Sequence, residues 1–137
     1  MNIYPLLDSA CDGTDYEGFF RSNIQFPASN SAPAPDVCVV EKEPKLRYGH
    51  FEGSLLLAVE VLKPSEDVSE KITLYLKEGV ASIWVVDIPR RIVLVYSGSE
   101  MHQYAEHTEI ELSFPLRGSV RVDDVFSGLP ESISHND

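Results

Sequence analysis

The stretch "LLLAVEVLKPSEDVSEKITLYLKEGVASIWVVD", residues 55–87, decides the fold. Residues 55–62 are apolar on both faces except at Glu60, and this is the pattern of a strand in the middle of a sheet. Pro64 cannot donate to a sheet ladder and therefore ends that strand. Residues 82–87 form a second strand of the same kind. A helix at about residues 66–78 is expected to connect the two as parallel strands by a right-handed crossover.

The helix prediction rests on its end signals and on the spacing of its apolar residues. Asp67 followed by Glu70 fits a capping box, and Ser65 is the alternative N-terminal cap. Gly79 is a natural C-terminal stop. Between these signals the apolar residues recur at helical spacing, which predicts one buried face: Val68, Ile72, Tyr75 and Leu76.

Shorter elements are expected on both sides of this unit. A strand over residues 36–41 follows a Pro-rich and Ser-rich segment that holds at most a short strand near residues 22–26. Residues 42–54 read as a polar loop. Further strands are predicted after the central unit, at residues 91–96, 102–105, 109–113 and near 118–121, the last leading into a turn of helix. This order of elements predicts an α/β fold.

The length and charge of the chain limit its class. With 137 residues we expect a single domain over residues 1–137, with its core at about 22–126 and with residues 1–21 and 128–137 peripheral. The net charge of −11 is a solubility feature first, and it makes general binding of nucleic acid weak because phosphate attraction supplies most non-specific affinity. No signal peptide or membrane-spanning run is recognisable, so we expect a cytoplasmic protein with no membrane partner.

Three charged residues form the candidate site: Asp36, Glu60 and Lys71. A lone ionised carboxylate inside a sheet costs several kcal/mol unless it is paired or binds a metal. Two acids on neighbouring strands can share one divalent cation, and such hard oxygen ligands suit Mg²⁺ or Mn²⁺. A nearby lysine would hold or deprotonate an attacking water and balance the charge of a scissile phosphate.

Other interpretations of these residues stay open at this point. Asp36 can act as a turn residue that accepts hydrogen bonds from backbone amides after Pro35. Glu60 can be a buried acid paired with Lys71 or Arg47. Lys71 can be an ordinary solvated helix lysine.

The segments Pro35-Asp36 and "EVLKPS" at residues 60–65, followed by Lys71, Tyr75 and Gly79, resemble the Uma2 family of restriction-endonuclease-like proteins, part of the PD-(D/E)xK nuclease superfamily. The resemblance implies a restriction-endonuclease-like mixed β-sheet with a crossover helix. It also implies a metal site at Asp36 and Glu60, helped by the backbone carbonyl of Val61. Lys71 would replace the strand lysine of the superfamily.

The sequence departs from the pattern of this family in two places. The superfamily lysine stands two residues after the acid, where this chain has Leu62. Lys63 points to the opposite face of the strand but could reach the site from the strand end, so it ranks below Lys71 as a supporting residue. Only 35 residues precede Asp36, which predicts a shortened N-terminal region. Glu17 is the nearest candidate there for a further acid near the site.

Tyr75 lies one helical turn from Lys71 and either supports the lysine or packs in the core. Together these features predict a metal-dependent DNA endonuclease that hydrolyses phosphodiester bonds with a Mg²⁺-activated water, with Mg²⁺ or Mn²⁺ as cofactor. The alternative is a catalytically inactive nuclease-like domain that serves as a binding or assembly module. A sheet with an exposed edge would also favour a homodimer.

Overall fold

The computed structural model describes residues 2–20, 24–25, 33–42, 45–47, 50–52, 55–113 and 115–128. In chain order the described residues form α1 (Ile3–Ala10), β1 (Tyr16–Phe20), β2 (Ile24–Gln25), β3 (Val37–Glu41), β4 (Lys45–Arg47), β5 (His50–Glu52), β6 (Leu55–Val61), α2 (Ser69–Lys77), β7 (Ser82–Asp87), β8 (Ile92–Ser97), β9 (Glu100–Tyr104), β10 (Glu109–Glu111), β11 (Ser119–Arg121) and α3 (Val122–Val125).

A six-stranded mixed sheet organises the described chain, with strand order β1-β3-β6-β7-β8-β9. Strands β6 and β7 are parallel and are joined through α2, whereas the other neighbouring pairs of this sheet are antiparallel. The predicted strand–helix–strand unit and the mixed α/β fold are therefore confirmed. Strands β2, β5 and β4 form a small second sheet, and β10 pairs with β11. The homodimer expected from an exposed sheet edge stays a prediction.

Helix α2 begins at Ser69, three residues later than the expected start at residue 66. The Asp67 carboxylate accepts a hydrogen bond from the backbone N–H of Ser69 at 2.9 Å. Val68 is the N-cap residue and makes no side-chain capping bond, so the predicted capping box is not formed. Gly79 ends the helix as predicted, with a φ of 83° that favours a residue without a side chain. On the face turned to the sheet, Tyr75 is fully buried.

The sheet separates two apolar clusters because alternate strand residues point to opposite faces. The larger cluster lies on the face covered by α1 and α3; in it Leu57 and Val59 of β6 pack with Leu7 of α1. The smaller cluster lies under α2, where Ala58 of β6 packs with Tyr75. Glu60 is two residues after Ala58 on the same strand, so its side chain also points to the face covered by α2.

The N-terminal residues are part of the core, which corrects the expectation that residues 1–21 are peripheral. Ile3, Leu7 and Cys11 recur every four residues along α1 and all are buried. Strand β1 pairs with β3 along its whole length. The close packing of α1 on β1 occurs at Gly18, whose N–H donates to the Asp8 carboxylate at 3.1 Å. The 35 residues before Asp36 therefore hold a helix and a paired strand.

A core substitution in α1 measures this contribution. We expect Leu7→Ala to lower the free energy of unfolding by about 2–5 kcal/mol, because a fully buried leucine is replaced by a cavity. The half-buried neighbour Leu6 is the matched control, and Leu6→Ala is expected to cost clearly less. Urea unfolding followed by circular dichroism gives both values. A loss below about 1 kcal/mol for Leu7→Ala would show that α1 is not part of the core.

Two further features of the described chain complete the fold. The segment at residues 42–54, expected to be a polar loop, contains the antiparallel strands β4 and β5. Among the described residues, none of the helices has the length and apolar character needed to cross a membrane.

Candidate functional site

The centre of the candidate site is Glu60, a carboxylate 3% exposed between the sheet and α2. Its Oε2 accepts a hydrogen bond from the Tyr75 hydroxyl at 2.6 Å, and its Oε1 accepts one from Lys71 Nζ at 3.3 Å. Lys71 and Tyr75 lie one turn apart on α2, so a single helix face delivers both donors to one strand residue. The predicted meeting of Glu60 and Lys71 is therefore present in the structure.

Burial and these two partners set the charge states at the centre. Burial raises the pKa of Glu60, while the hydrogen bond from Tyr75 and the attraction of Lys71 oppose the rise. Burial acts to lower the pKa of Lys71, but the charge of Glu60, the hydrogen bond to Glu60 and the charges of Glu66 and Asp36 together outweigh burial, so the pKa of Lys71 is raised. Burial, followed by the hydrogen bond to Glu60, raises the pKa of Tyr75. Lys71 thus stays a cation and Tyr75 a neutral donor at neutral pH.

Asp36 stands next to Glu60 at the start of the neighbouring strand. Val37 of β3 is opposite Val59 of β6, so continuation of the antiparallel register places Asp36 opposite Glu60. The Asp36 Oδ2 accepts a hydrogen bond from the backbone N–H of Val61 at 2.7 Å. This contact is the amide-binding role that the sequence left open for Asp36. Repulsion from Asp36 is a smaller contribution to the raised pKa of Glu60, as expected for two neighbouring acids.

Pro35 explains why the strand pair opens at this point. The same register would place Pro35 opposite Val61, and a hydrogen-bonded antiparallel pair exchanges both N–H and C=O contacts. Pro35 has no N–H, so it cannot donate to the carbonyl of Val61. The Asp36 carboxylate instead accepts the hydrogen bond of the Val61 N–H. The carbonyl of Val61 therefore points to the side of Asp36 without a ladder donor from β3.

These oxygen atoms suit a hard divalent cation. The carboxylates of Asp36 and Glu60 and the carbonyl of Val61 are ligands that Mg²⁺ accepts, and Mg²⁺ commonly takes one or two carboxylates and completes its shell with water and phosphate. The described residues contain no cluster of three or more His, Cys, Asp or Glu side chains arranged for a metal ion. The three oxygen ligands of the protein would leave most coordination positions of the cation to water and substrate. Lys71, with its side chain 43% exposed, has room to release Oε1 of Glu60 to a cation.

Two of the supporting residues lie away from this centre. Glu17 is opposite Val40, four residues along β3 from Asp36, which is about 13 Å along a strand. The structure therefore does not place Glu17 beside Asp36. Lys63 is exposed just beyond the end of β6 and lines a pocket together with Asp36, on the α1 side of the sheet. It lies beside the site rather than at Glu60.

One contributing residue was missed by the sequence reasoning, and one partner is not described. Glu66 Oε2 lies 3.7 Å from Lys71 Nζ, and its Oε1 accepts the backbone N–H of Lys63 at 3.2 Å. The position of Glu66 between Pro64 and α2 was the sequence feature from which its contact with Lys71 could have been predicted. The side chain of Arg47, the other partner considered for Glu60, lies outside the described residues. The Tyr75 hydroxyl donates to Glu60, and the Tyr75 side chain is buried in the core.

Comparisons with known proteins bear on the family and the fold of the chain. The family model Uma2, described as "Putative restriction endonuclease", matches residues 2–129. A crystal structure described as a putative nuclease belonging to DUF820, from Anabaena variabilis, is similar with a TM-score of 0.72 and 19% identity, covering 90% of this chain and 75% of that one. A DrdV–DNA complex is similar with a TM-score of 0.45 and 13% identity, covering 74% of this chain and 9% of that one. No curated protein sequence matches the chain.

Proposed function

Because the chain belongs to the Uma2 family, we propose that it is a metal-dependent DNA endonuclease that hydrolyses phosphodiester bonds. One observation supports this most: a buried Glu60 is held by two donors from α2 beside Asp36, at the point where β3 and β6 separate. Such a carboxylate is costly for a purely structural role. The proposed cofactor is Mg²⁺ or Mn²⁺, and the proposed catalytic residues are Asp36, Glu60 and Lys71.

Each residue has a distinct part in the proposed reaction. Asp36, Glu60 and the carbonyl of Val61 would hold the cation, which when bound lowers the pKa of water and polarises the phosphate. The Tyr75 hydroxyl fixes the orientation of the Glu60 carboxylate. The raised pKa of Lys71 makes this residue a poor base at neutral pH, so we assign it to positioning the attacking water and to balancing the charge that develops on the phosphate.

The direct test is cleavage of supercoiled plasmid at low salt. We expect nicked and then linear product with Mg²⁺ or Mn²⁺ and none with excess chelator. Asp36→Asn removes one proposed ligand charge and is expected to lose this activity, whereas Asp12→Asn, at an exposed acid, is expected to keep it. Cleavage that survives both the chelator and Asp36→Asn would contradict the proposal.

A second function is favoured by a specific observation, the absence of a lysine at position 62. The superfamily lysine is replaced there by leucine, and the net charge of −11 opposes DNA approach. A nuclease-like domain without turnover, acting as a binding or assembly module, would show these features. Cation binding at Glu60 with no plasmid cleavage under any tested metal would favour this second function.

Tyr75 gives a prediction about pH. In Tyr75→Phe the carboxylate of Glu60 loses a donor that lowers its pKa, so the pKa of Glu60 should rise further. A higher pKa means that more protons compete with the cation at low pH. The acid limb of the cleavage-rate profile is therefore expected to move to higher pH, while the rate on the plateau changes less.

The control for this profile is Tyr96→Phe, which removes a hydroxyl from the half-buried Tyr96 of β8. Its acid limb is expected to coincide with that of the wild type. An unmoved acid limb in Tyr75→Phe would show that Tyr75 does not set the protonation of Glu60.

A further inference from the structure

A pocket of about 170 Å³ opens near the starts of β6 and β7. Leu57, Trp84 and Val95 line it, and all three belong to the apolar cluster on the face covered by α1 and α3. The segment that follows β10, including Leu116, forms another part of its wall. Glu60 points to the other face of the sheet, so this pocket is separate from the proposed metal site.

A row of polar side chains crosses the sheet along this pocket. Ile83 of β7 is opposite Tyr96 of β8, so continuation of the register places Ser82 opposite Ser97. Ser97 is in turn opposite Glu100 of β9. Side chains that are directly opposite in an antiparallel pair lie on the same face. The row therefore runs from the buried Ser82 through Ser97 to the exposed Glu100, and all three residues line the pocket.

Ser82 distinguishes this pocket from an ordinary surface hollow. Its side chain is in a residue only 5% exposed, and within the part of the chain that the structure describes no group forms a hydrogen bond with its hydroxyl. The Ser97 hydroxyl, by contrast, donates to the backbone carbonyl of Ala81 at 3.1 Å. Buried polar groups nearly always have a partner, because an unsatisfied one costs free energy. Ser82 therefore offers a donor and an acceptor to a molecule that enters the pocket.

The charges at the rim indicate what kind of molecule fits. Glu100 and Glu111 line the pocket and are exposed, and no Lys or Arg is among the described residues that line it. His102 Nε2 lies 3.9 Å from Glu100 Oε2, so a histidine also lies at this rim. Two carboxylates without a lysine or arginine beside them favour a positively charged ligand.

The size of the pocket and the length of the polar row limit the ligand further. A cavity of about 150 Å³ holds a benzene molecule, so this pocket has room for a ligand of about six non-hydrogen atoms. Ser82 and Glu100 are two strands apart, which corresponds to about 10 Å. A short aliphatic chain with a hydroxyl at one end and an ammonium at the other matches both limits.

We propose that this pocket binds a small amino alcohol. The ligand hydroxyl pairs with the Ser82 hydroxyl, and the ligand ammonium pairs with Glu100 and Glu111 at the rim. The aliphatic chain contacts the apolar floor that includes Trp84 and Leu116. This site does not depend on the proposed nuclease function, because it lies on the opposite face of the sheet from Glu60.

Trp84 provides the readout, because it is the only tryptophan of the chain and it lines the pocket. The probe is aminobutanol with its two groups at opposite chain ends, titrated at pH 8 while tryptophan fluorescence and the indole N–H signal in NMR spectra are followed. Butylamine lacks the hydroxyl, butanol lacks the charge, and hydroxybutyrate reverses the charge. We expect aminobutanol to bind about threefold to tenfold more tightly than butylamine, the value of one hydrogen bond. Butanol should bind more weakly than aminobutanol, and hydroxybutyrate should bind most weakly.

Substitutions separate the hydroxyl from the charge. Ser82→Ala is expected to reduce the affinity for aminobutanol to that for butylamine and to leave butylamine binding unchanged. Glu100→Gln is expected to weaken both amines about twofold to fivefold, the value of an exposed ion pair. Glu106→Gln, at an exposed acid in the turn after β9, is the matched control and should change neither affinity.

The ligand series on the wild type tests the proposal even where a variant fails to fold. Absence of a saturable Trp84 response to aminobutanol, or equal binding of aminobutanol and hydroxybutyrate, would overturn it. A preference for aminobutanol over butylamine that persists in Ser82→Ala would also overturn it.

Discussion

Replacing Glu60 with glutamine is expected to abolish metal-dependent DNA cleavage while leaving a folded protein that is more stable than the wild type at pH 8. Glutamine keeps an oxygen that can accept the hydrogen bond of Tyr75, but it loses the charge that would hold a cation. We expect a loss of cleavage of more than about 100-fold, because even indirect partners of a metal ligand change affinity by about 10–100-fold.

The gain in stability follows from the raised pKa of Glu60. The folded protein holds the proton of Glu60 to a higher pH than the unfolded chain does. The contribution of this group to stability is therefore complete below the unfolded pKa and is lost as pH rises through the folded pKa. Glutamine does not ionise, so Glu60→Gln does not lose this stability as pH rises. In metal-free buffer its melting temperature should exceed that of the wild type by little at pH 4 and by more at pH 8.

The control for this comparison is Glu78→Gln, at a half-buried acid where α2 ends. It is expected to keep cleavage activity and to show no gain in melting temperature that grows with pH. A Glu60→Gln protein that is less stable than the wild type at pH 8, or that still cleaves DNA with Mg²⁺, would contradict the role given to Glu60.

Replacing Lys71 with methionine is expected to lower the cleavage rate by about 10²–10³-fold without weakening cation binding. Lys71 is assigned to the water and the phosphate, and its ammonium also occupies Oε1 of Glu60. Removing the ammonium frees that oxygen, so the affinity for Mn²⁺ should be equal or higher. The two effects thus move in opposite directions, which a general loss of folding would not produce.

The matched control is Lys77→Met, an exposed lysine in the last turn of the same helix. Its cleavage rate and its Mn²⁺ affinity are expected to equal those of the wild type. Single-turnover cleavage at saturating metal gives the rates, and calorimetry gives the affinities. An unchanged rate in Lys71→Met would remove Lys71 from the proposed mechanism and would direct attention to Lys63.

The central part of the fold could be predicted because local signals agree there. The apolar runs on both sides of α2, the break at Pro64 and the stop at Gly79 each have a direct physical cause. Their combination places Lys71 over Glu60, so the main contact of the site followed from the sequence.

The N-terminal helix was missed because its end signals are weak. Asn2 makes no side-chain capping bond, and Pro5 suggests a break although proline is tolerated in a first helical turn. The hydrophobic spacing of Ile3 and Leu7 was the usable signal.

Other features depend on tertiary packing and have no local signal. The hydrogen bond from the Tyr75 hydroxyl to Glu60 is decided by how α2 lies on the sheet. The position of Glu17 is decided by the register of β1 on β3, which the short sequence of β1 does not specify.

The central claim, that Asp36, Glu60 and the carbonyl of Val61 hold one divalent cation, is tested most directly by calorimetric titration of Mn²⁺. The account predicts one binding site per wild-type chain at pH 8. It also predicts loss of that heat in both Glu60→Gln and Asp36→Asn. Absence of binding by the wild type, or equal binding by the two variants, would contradict it.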